Sequence, residues 1–530
     1  MTGPLEEQLR AGAALLKAKR RDEAQALSAR LLDEFPDDVR VRLFAVDLAS
    51  DRGDREAAIG QLDALLQAEP TNPGILLRKA QILFADHRRG EARAVAQAGV
   101  CHVQSEALQF WAFARILADC QDLEGARAWL EQAHARFPRE VAILFDLAVA
   151  EFQLNRVDEA EQRLAALLRL APFHPGALRL RSMLRTQTSE RNHVEDLEGR
   201  LARMPQRPDL VAGCSYAVAK EFEDLQQYEK SFRALERGAH AHRSTIKYDS
   251  QVEMASLRSV RDVFTPEAFQ SLGPGFEAEG PIFIVGMPRT GTTLLERLLG
   301  SHSQVWSVGE FTVFPPLLVE HINKRLANAA EVERANNASL RIDFRELGRR
   351  YIAAARQLAG ERTYFVDKLP FNFLYCGYIL AALPGAKLIH LTRDPMDTCY
   401  AVFKTLFFNA YYWSYDLDEL ADYYVGYREQ MDHWHRVQPG RILDVQYEEL
   451  VHDAEGQARR VLEWCGLPWE DSVLAYPELE LPSMTASAAQ VRRPIYTDSI
   501  GSWRRAAPGL RRVHDRLVRA NLIAPQEEFA

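Results

Sequence analysis

The sequence has few cysteines and no long apolar run. Its 6 cysteines in 530 residues are scattered and include no Cys-x-x-Cys pair, which argues against a zinc site or a disulfide framework. No apolar stretch approaches the roughly 20 residues that cross a bilayer, and the N-terminal segment lacks the features of a secretory signal. We therefore expect a cytoplasmic protein with no membrane span and no bound metal.

A net positive charge is also lacking, since 74 acidic residues outnumber 65 Lys and Arg residues and the formal net charge is −9. Non-specific binding to nucleic acid relies on Lys and Arg neutralising phosphates, so we expect no nucleic-acid partner. Any nucleotide site must be local. The length predicts more than one domain.

A 34-residue period organises the N-terminal part of the chain, and prolines mark it at Pro36, Pro70, Pro138 and Pro172. Two columns of mostly small residues keep the same phase: Ala24, Ala58, Ala92, Ala126 and Ala160, and Gly12, Val46, Ala80, Ala114 and Ala148. Each unit contains two apolar-periodic stretches of helical length, which predicts a helix-turn-helix. A small side chain where two helices cross lets their backbones approach.

This pattern resembles the tetratricopeptide repeat family, with about five repeats in residues 1–185. The resemblance implies an all-α solenoid whose groove binds a peptide or a partner protein. The alternative is that the helices only support the following domain. Residues 186–272 are predicted to form a helical linker, in which Ala217–His240 resembles a degenerate sixth repeat. Glycine and proline turns then mark the start of an α/β domain, residues 273–530.

A glycine-rich turn opens this domain. The apolar run Pro281–Val285 predicts a buried strand, and the turn Gly286–Thr293 leads into a predicted helix. The backbone N–H groups of such a turn and helix N-terminus bind anions. The turn resembles a P-loop, but Thr292 stands in the position of the P-loop lysine. This change disfavours an ATPase, a nucleotide kinase or another phosphoryl transferase, and Arg289 with the threonine hydroxyls suits a single 5′-phosphate.

Three further apolar runs meet polar residues at their C-terminal ends: Tyr364–Lys368, Lys387–Arg393 and Arg441–Tyr447. In an open parallel sheet, ligands bind beyond the carboxyl ends of the strands. The sequence therefore predicts a central parallel sheet on which Arg289, Lys368, Arg393 and Tyr447 converge.

Several ordered motifs resemble the sulfotransferase superfamily, and in particular bacterial fusions of tetratricopeptide repeats to a domain related to tyrosylprotein sulfotransferases. They are Gly286–Thr293, Gly309-Glu310, Asp367–Pro370, Arg393–Pro395, Thr485–Arg492 and Pro494–Trp503. The resemblance implies a sulfotransferase that uses 3′-phosphoadenosine 5′-phosphosulfate (PAPS) and no metal. The acceptor that the resemblance implies is a hydroxyl of a peptide, a protein or a glycan.

The resemblance also assigns roles. Glu310 is the general base, and Lys368 and Ser487 stabilise the bridging oxygen and the sulfuryl group. The 5′-phosphosulfate is held by Arg289, Thr290, Gly291, Thr292 and Thr293, and the 3′-phosphate by Arg393. Tyr447 lies near the nucleotide, and a loop from Gln490 to Trp503, which includes Arg492, closes over it.

The sequence departs from the family pattern in three places. Ala401 replaces a serine that commonly follows the 3′-phosphate arginine by eight residues, and Ser502 replaces a basic residue. The segment Phe311–Pro315 lacks the basic residue that tyrosylprotein enzymes use near an acidic acceptor, so tyrosine is only one candidate acceptor. These departures also leave open a catalytically impaired, nucleotide-sensing adaptor. The oligomeric state is not set by the sequence, and a homodimer stays among the options.

Overall fold

The computed structural model describes residues 4–327, 335–359, 362–475 and 497–529. These residues divide into two compact units, with the boundary between Leu170 and Ala171. The domain limits at residues 185 and 272 stay predictions. No helix in the described ranges combines the length and the apolar character needed to cross a membrane.

The first unit is an array of helix pairs. The second helix of each pair begins at residue 21, 55, 89, 123 or 157, so the predicted 34-residue period is confirmed. The helices within residues 4–170 are α1 Pro4–Lys17, α2 Arg21–Glu34, α3 Val39–Arg52, α4 Arg55–Ala68, α5 Pro73–Ala85, α6 Arg89–Val100, α7 Ala107–Asp119, α8 Leu123–Arg136, α9 Val141–Gln153 and α10 Val157–Leu170.

The small-residue columns lie where the helices pack. Ala24, Ala58, Ala92, Ala126 and Ala160 are all fully buried. A larger side chain there would force neighbouring helices apart. Local signals set the helix ends: the Asn72 side chain accepts hydrogen bonds from the N–H groups of Gly74 and Ile75, and Pro73 begins α5. One continuous hydrophobic core runs through the middle of the array.

The second unit begins with helices. They are α11 Pro175–Met183, α12 Val194–Arg203, α13 Pro208–Asp224, α14 Tyr228–Arg243, α15 Ser250–Val263 and α16 Pro266–Gln270. The stretch Ala217–His240 falls in the α13–α14 hairpin, and its assignment as a degenerate repeat stays a prediction. Gly238 allows the close approach in this hairpin, because a Cβ there would lie 2.8 Å from the Tyr216 ring.

A parallel sheet follows, as predicted. Its strands, within the described residues, are β1 Pro281–Gly286, β2 Val305–Gly309, β3 Tyr364–Lys368, β4 Lys387–Thr392 and β5 Ile442–Gln446. Their spatial order is β2-β3-β1-β4-β5, and every pairing is parallel. The register pairs Ile284 with Lys368, and Gly286 with Leu391. The carboxyl ends of the strands therefore lie along one edge.

Helices cover the sheet, and β1 is buried along its whole length. The helices are α17 Thr292–Gly300, α18 Phe314–Ala327, α19 Ala335–Ser339, α20 Phe344–Ala359, α21 Cys376–Ala382, α22 Pro395–Phe403, α23 Leu417–Val437, α24 Tyr447–His452, α25 Ala454–Cys465 and α26 Arg511–Arg519. Short 3₁₀ segments span Pro370–Tyr375, Tyr412–Tyr415, Asp471–Val473, Ser502–Leu510 and Glu527–Phe529.

Candidate functional site

The glycine turn joins β1 to α17 at the carboxyl edge of the sheet. Gly291 has φ +98°, and a Cβ there would lie 2.4 Å from the Tyr447 ring, so both the conformation and the close contact require glycine. Arg289 also takes a positive φ, 68°. The Thr290 hydroxyl donates to the carbonyl of Met287 at 2.8 Å and so stabilises the turn from within. The turn leads directly into the N-terminus of α17, whose positive dipole end favours an anion.

Arg393 lies just past β4 and ties the turn to a distant segment. Its Nη1 donates to the carbonyl of Arg289 at 3.0 Å, and its Nη2 donates to the carbonyl of Ser499 at 2.6 Å. The guanidinium lies 4.9 Å from the centre of the Tyr447 ring, and the Tyr447 hydroxyl is 2.8 Å from Ser499 Oγ. Two predicted site residues, Arg393 and Tyr447, are thus in contact beside the glycine turn.

Lys368 and Glu310 form an ion pair at the ends of β3 and β2. Lys368 Nζ is 2.6 Å from Glu310 Oε1 and 3.6 Å from Glu296 Oε2. The Lys368 side chain is 1% exposed, whereas that of Glu310 is 47% exposed. Burial acts to lower the pKa of Lys368, but the charges of Glu296 and Glu310 outweigh it and raise this pKa above its ordinary value. The lysine is therefore a buried ammonium whose partner carboxylate reaches solvent.

A buried carboxylic acid lies beside Lys368. Asp367 is fully buried, and it accepts a hydrogen bond from the Tyr351 hydroxyl at 2.6 Å and one from Asn372 Nδ2 at 3.3 Å. Burial raises the pKa of Asp367 to about 7, although these hydrogen bonds act in the opposite direction. The segment after Glu310 is core rather than surface, since Phe311 and Phe314 each pack edge-on against the Tyr351 ring at 5.6 Å.

An aromatic segment lies near Glu310. Tyr411, at φ 53°, packs against Phe407 at 4.7 Å and against Phe371 at 5.8 Å between ring centres. Burial raises the pKa of the Tyr411 hydroxyl, and the negative charge of Glu310 raises it further. In the sequence, the aromatic run Phe407–Trp413 follows the Arg393 motif and is interpreted as a lining of the acceptor cleft, with ordinary core or a subunit contact as the alternative. Its role stays a prediction.

Asp397 holds the last part of the predicted closing loop. This fully buried carboxylate accepts from the N–H of Gly501, from the Ser502 hydroxyl at 2.9 Å and from the N–H of Trp503 at 3.0 Å. The Ser502 hydroxyl therefore has a structural role where the family has a basic residue. The Trp503 ring stacks on Phe529 at 5.5 Å and is 2% exposed. Its contact with the nucleotide stays a prediction.

The other predicted site residues divide into two sets. Thr292 and Thr293 are buried in the first turn of α17. Ser487 and Arg492 lie outside the described residues. Their roles, and those of the residues above, stay predictions.

A polar cluster that the sequence did not suggest lies on β4, β5 and α23. Asp444 Oδ1 is 2.7 Å from His390 Nδ1 and 3.2 Å from His435 Nε2, and the other nitrogen of His390 contacts the Tyr427 hydroxyl. These three residues have the ligand types that hold metal ions. Both nitrogens of His390 already have hydrogen-bond partners, so the cluster reads as a structural network linking the two strands to the helix.

Comparisons with known proteins identify both parts of the chain. Residues 281–471 match the model of the sulfotransferase family, and residues 117–184 match a tetratricopeptide repeat model. The sulfotransferase domain of the Synechococcus PCC 7002 olefin synthase is a solved structure with 19% identity and a TM-score of 0.34, covering 44% of this chain and 90% of that chain.

Among curated proteins, an uncharacterized protein of Aquifex aeolicus (strain VF5) is 33% identical over 384 residues, which covers 71% of this chain and 50% of that protein. Protein-tyrosine sulfotransferase A of Caenorhabditis elegans is 26% identical over 247 residues, covering 43% of this chain and 62% of that protein. The chain thus spans about half to three fifths of the length of these relatives. It combines tetratricopeptide repeats with a domain of the sulfotransferase family.

Proposed function

We propose that the sulfotransferase-family domain transfers a sulfuryl group from PAPS to a hydroxyl of a peptide, protein or glycan acceptor. The observation that carries this proposal is the 2.6 Å contact between Lys368 Nζ and Glu310 Oε1 at the sheet edge that also carries the glycine turn. It supports the proposal because a transferase needs a general base and a fixed positive charge next to its donor site.

The turn and its neighbours have the chemistry to hold the donor. Gly291 packs so closely against the Tyr447 ring that a Cβ would clash with it, and the turn leads into the positive dipole end of α17. Arg393 Nε is shielded from solvent and has no hydrogen-bond partner among the described residues, so an anion would satisfy it. PAPS, when bound, supplies an activated sulfuryl group on a 5′-phosphate leaving group.

Glu310 and Lys368 would have separate roles in the transfer, one as the base and the other in stabilising negative charge. The exposed Glu310 carboxylate takes the proton of the acceptor hydroxyl as the new oxygen–sulfur bond forms. The bond between sulfur and the bridging oxygen breaks, and the Lys368 ammonium stabilises the negative charge that remains on that oxygen. The ion pair also orients the Glu310 carboxylate before the acceptor arrives.

The aromatic segment around Tyr411 and the repeats would select the acceptor. Phe407, Tyr411 and Phe371 form an aromatic wall near Glu310. Such a wall suits an acceptor with an apolar or aromatic body beside its hydroxyl. The repeats would bind a peptide or a protein partner in their groove.

Titration calorimetry with 3′-phosphoadenosine 5′-phosphate, AMP and ATP tests the donor assignment. We expect micromolar binding that is confined to the 3′-phosphorylated nucleotide, and transfer of labelled sulfate from PAPS to an acceptor library. Equal binding of all three nucleotides, or none, would contradict the donor assignment and favour the adaptor hypothesis.

A further inference from the structure

A cavity of about 370 Å³ within the second unit connects the helices that precede the sheet with the donor turn. Its walls include Arg179 on α11 and Lys220 on α13. They also include Arg289 of the glycine turn, and Ala401 and Lys404 at the end of α22. The volume is in the range of small-ligand sites. Residues outside the matched sulfotransferase segment therefore share a cavity with the arginine of the donor turn.

Positive charge dominates the cavity. Its wall holds the cationic side chains Arg179, Arg185, Lys220, Arg289 and Lys404, and only two carboxylates, Glu223 and Asp224. Glu223 pairs with Lys404 at 2.7 Å, and Asp224 pairs with Lys220 at 2.5 Å. Both carboxylates are thus engaged while cationic groups remain in excess, which favours an anionic ligand.

Arg179 lacks a carboxylate partner among the described residues. Its Nη1 donates to the sulfur of Met183 at 3.2 Å, and its guanidinium lies 5.1 Å from the centre of the Phe408 ring. Nε is shielded from solvent with no hydrogen-bond partner in the described ranges. Burial lowers the pKa of Arg179. A buried charge without a counter-ion is costly, and an anionic ligand in the cavity would remove that cost.

The position of the cavity points to one anion. Ala401 lies eight residues after Arg393 on the helix that follows β4. Two of the nitrogens of Arg393 already donate to the carbonyls of Arg289 and Ser499. Arg393 is thus partly engaged, and the wall of the cavity carries the methyl group of Ala401 at the position where the family commonly has a serine. The Arg179 guanidinium, which also lines the cavity, would complete the coordination of a 3′-phosphate.

We propose that Arg179 binds the 3′-phosphate of the nucleotide donor in this cavity. The inference rests on the proposed function, since it assumes a 3′-phosphorylated donor. Arg179 then acts as a specificity-determining residue, and the helical segment before the sheet becomes part of the donor site. This arrangement explains how the chain can use the donor with alanine at position 401.

The test compares Arg179→Gln with Arg233→Gln, which removes an exposed guanidinium from α14 and changes the net charge equally. Calorimetry measures the dissociation constants of 3′-phosphoadenosine 5′-phosphate and of AMP. We expect Arg179→Gln to weaken binding of the 3′-phosphorylated nucleotide by about 10- to 100-fold and to change AMP binding by less than about twofold, because only the former carries the group that Arg179 contacts. Arg233→Gln should bind both nucleotides like the wild type.

A second variant guards against a folding defect. Ala401→Ser, added to Arg179→Gln, supplies a hydroxyl in the cavity wall and should restore part of the lost affinity. Unchanged affinity of Arg179→Gln for the 3′-phosphorylated nucleotide, or an equal loss for AMP, overturns the inference. Unchanged nucleotide affinity with a raised acceptor KM would assign the cavity to an acidic acceptor instead. A wild type that does not prefer the 3′-phosphorylated nucleotide overturns the proposed function itself, and the inference with it.

Discussion

The two halves of the sheet edge use their cations differently. At the end of β3, Lys368 is buried between Glu310 and Glu296. Beyond β4, Arg393 donates to two backbone carbonyls and lies over the Tyr447 ring. Lys368 lies between two carboxylates and orients Glu310, which can accept a proton. Arg393 instead donates to backbone carbonyls and fixes the shape of the glycine turn. Under the proposed function, the edge therefore has a reacting half around Lys368 and Glu310 and a holding half around Arg393 and the glycine turn.

Replacing Glu310 should produce the largest effect and should leave the holding half intact. Glu310→Gln keeps the shape of the side chain but removes the base, so we expect kcat to fall by about 10²- to 10⁴-fold. The affinity for 3′-phosphoadenosine 5′-phosphate should stay within about twofold of the wild type. Initial rates and calorimetry measure the two effects. The control Glu320→Gln breaks an exposed ion pair with Arg350 and should change neither. Full activity of Glu310→Gln would show that Glu310 is not the general base.

A side chain at position 291 should disrupt the glycine turn in the holding half of the sheet edge. Gly291→Ala imposes φ +98° on an alanine whose Cβ would lie 2.4 Å from the Tyr447 ring. We expect the free energy of unfolding to fall by about 2–3 kcal/mol and donor binding to be lost. Chemical denaturation and calorimetry check both effects. The control Gly60→Ala lies in α4 with no atom within 4 Å of the new methyl group, and it should stabilise by up to about 1 kcal/mol. An equally stable Gly291→Ala would show that the turn tolerates a side chain.

Arg393→Gln tests how far the holding half depends on charge. The change removes the hydrogen bonds to the carbonyls of Arg289 and Ser499 and the contact over Tyr447. We expect donor affinity to fall by about 10- to 100-fold, because charge-assisted hydrogen bonds are stronger than neutral ones. Arg519→Gln, an exposed change on α26, is the control. A lower kcat with unchanged donor affinity would show that Arg393 acts in the transfer step rather than in donor binding.

Asp367, next to Lys368 in the sequence, should affect the pH dependence of stability. Asp367 keeps its proton to a pKa of about 7 in the folded protein, against an ordinary value of 3.8, because it is buried. Between these values the folded state binds more protons than the unfolded state, so stability falls as pH rises, by at most about 1.4 kcal/mol per pH unit. Asp367→Asn should remove this slope, as measured by urea unfolding between pH 4.5 and 7. The exposed change Asp262→Asn should retain it. An unchanged slope in Asp367→Asn would mean that Asp367 titrates normally.

The repeats and the strand ends could be predicted because their signals are local. A 34-residue period needs only the spacing of small residues, and the fully buried column from Ala24 to Ala160 confirms it. The strands β1, β3, β4 and β5 are apolar runs that the sequence displays directly. The strand β2, Val305–Gly309, was not predicted, and it differs from β1 in that Trp306 is exposed and Ser307 is half-buried.

The sequence by itself determined the helix-pair period, the glycine turn and the order of the polar strand ends, since each depends on neighbours along the chain. Only the tertiary structure decided which groups these residues meet. It placed Glu296 and Tyr411 near the Lys368–Glu310 pair. It also placed Asp397 where its carboxylate accepts a hydrogen bond from the N–H of Trp503. It also brought Arg179 into one cavity with Arg289. These contacts join residues far apart in the chain, and no spacing rule encodes them, because packing and burial select them when the chain folds.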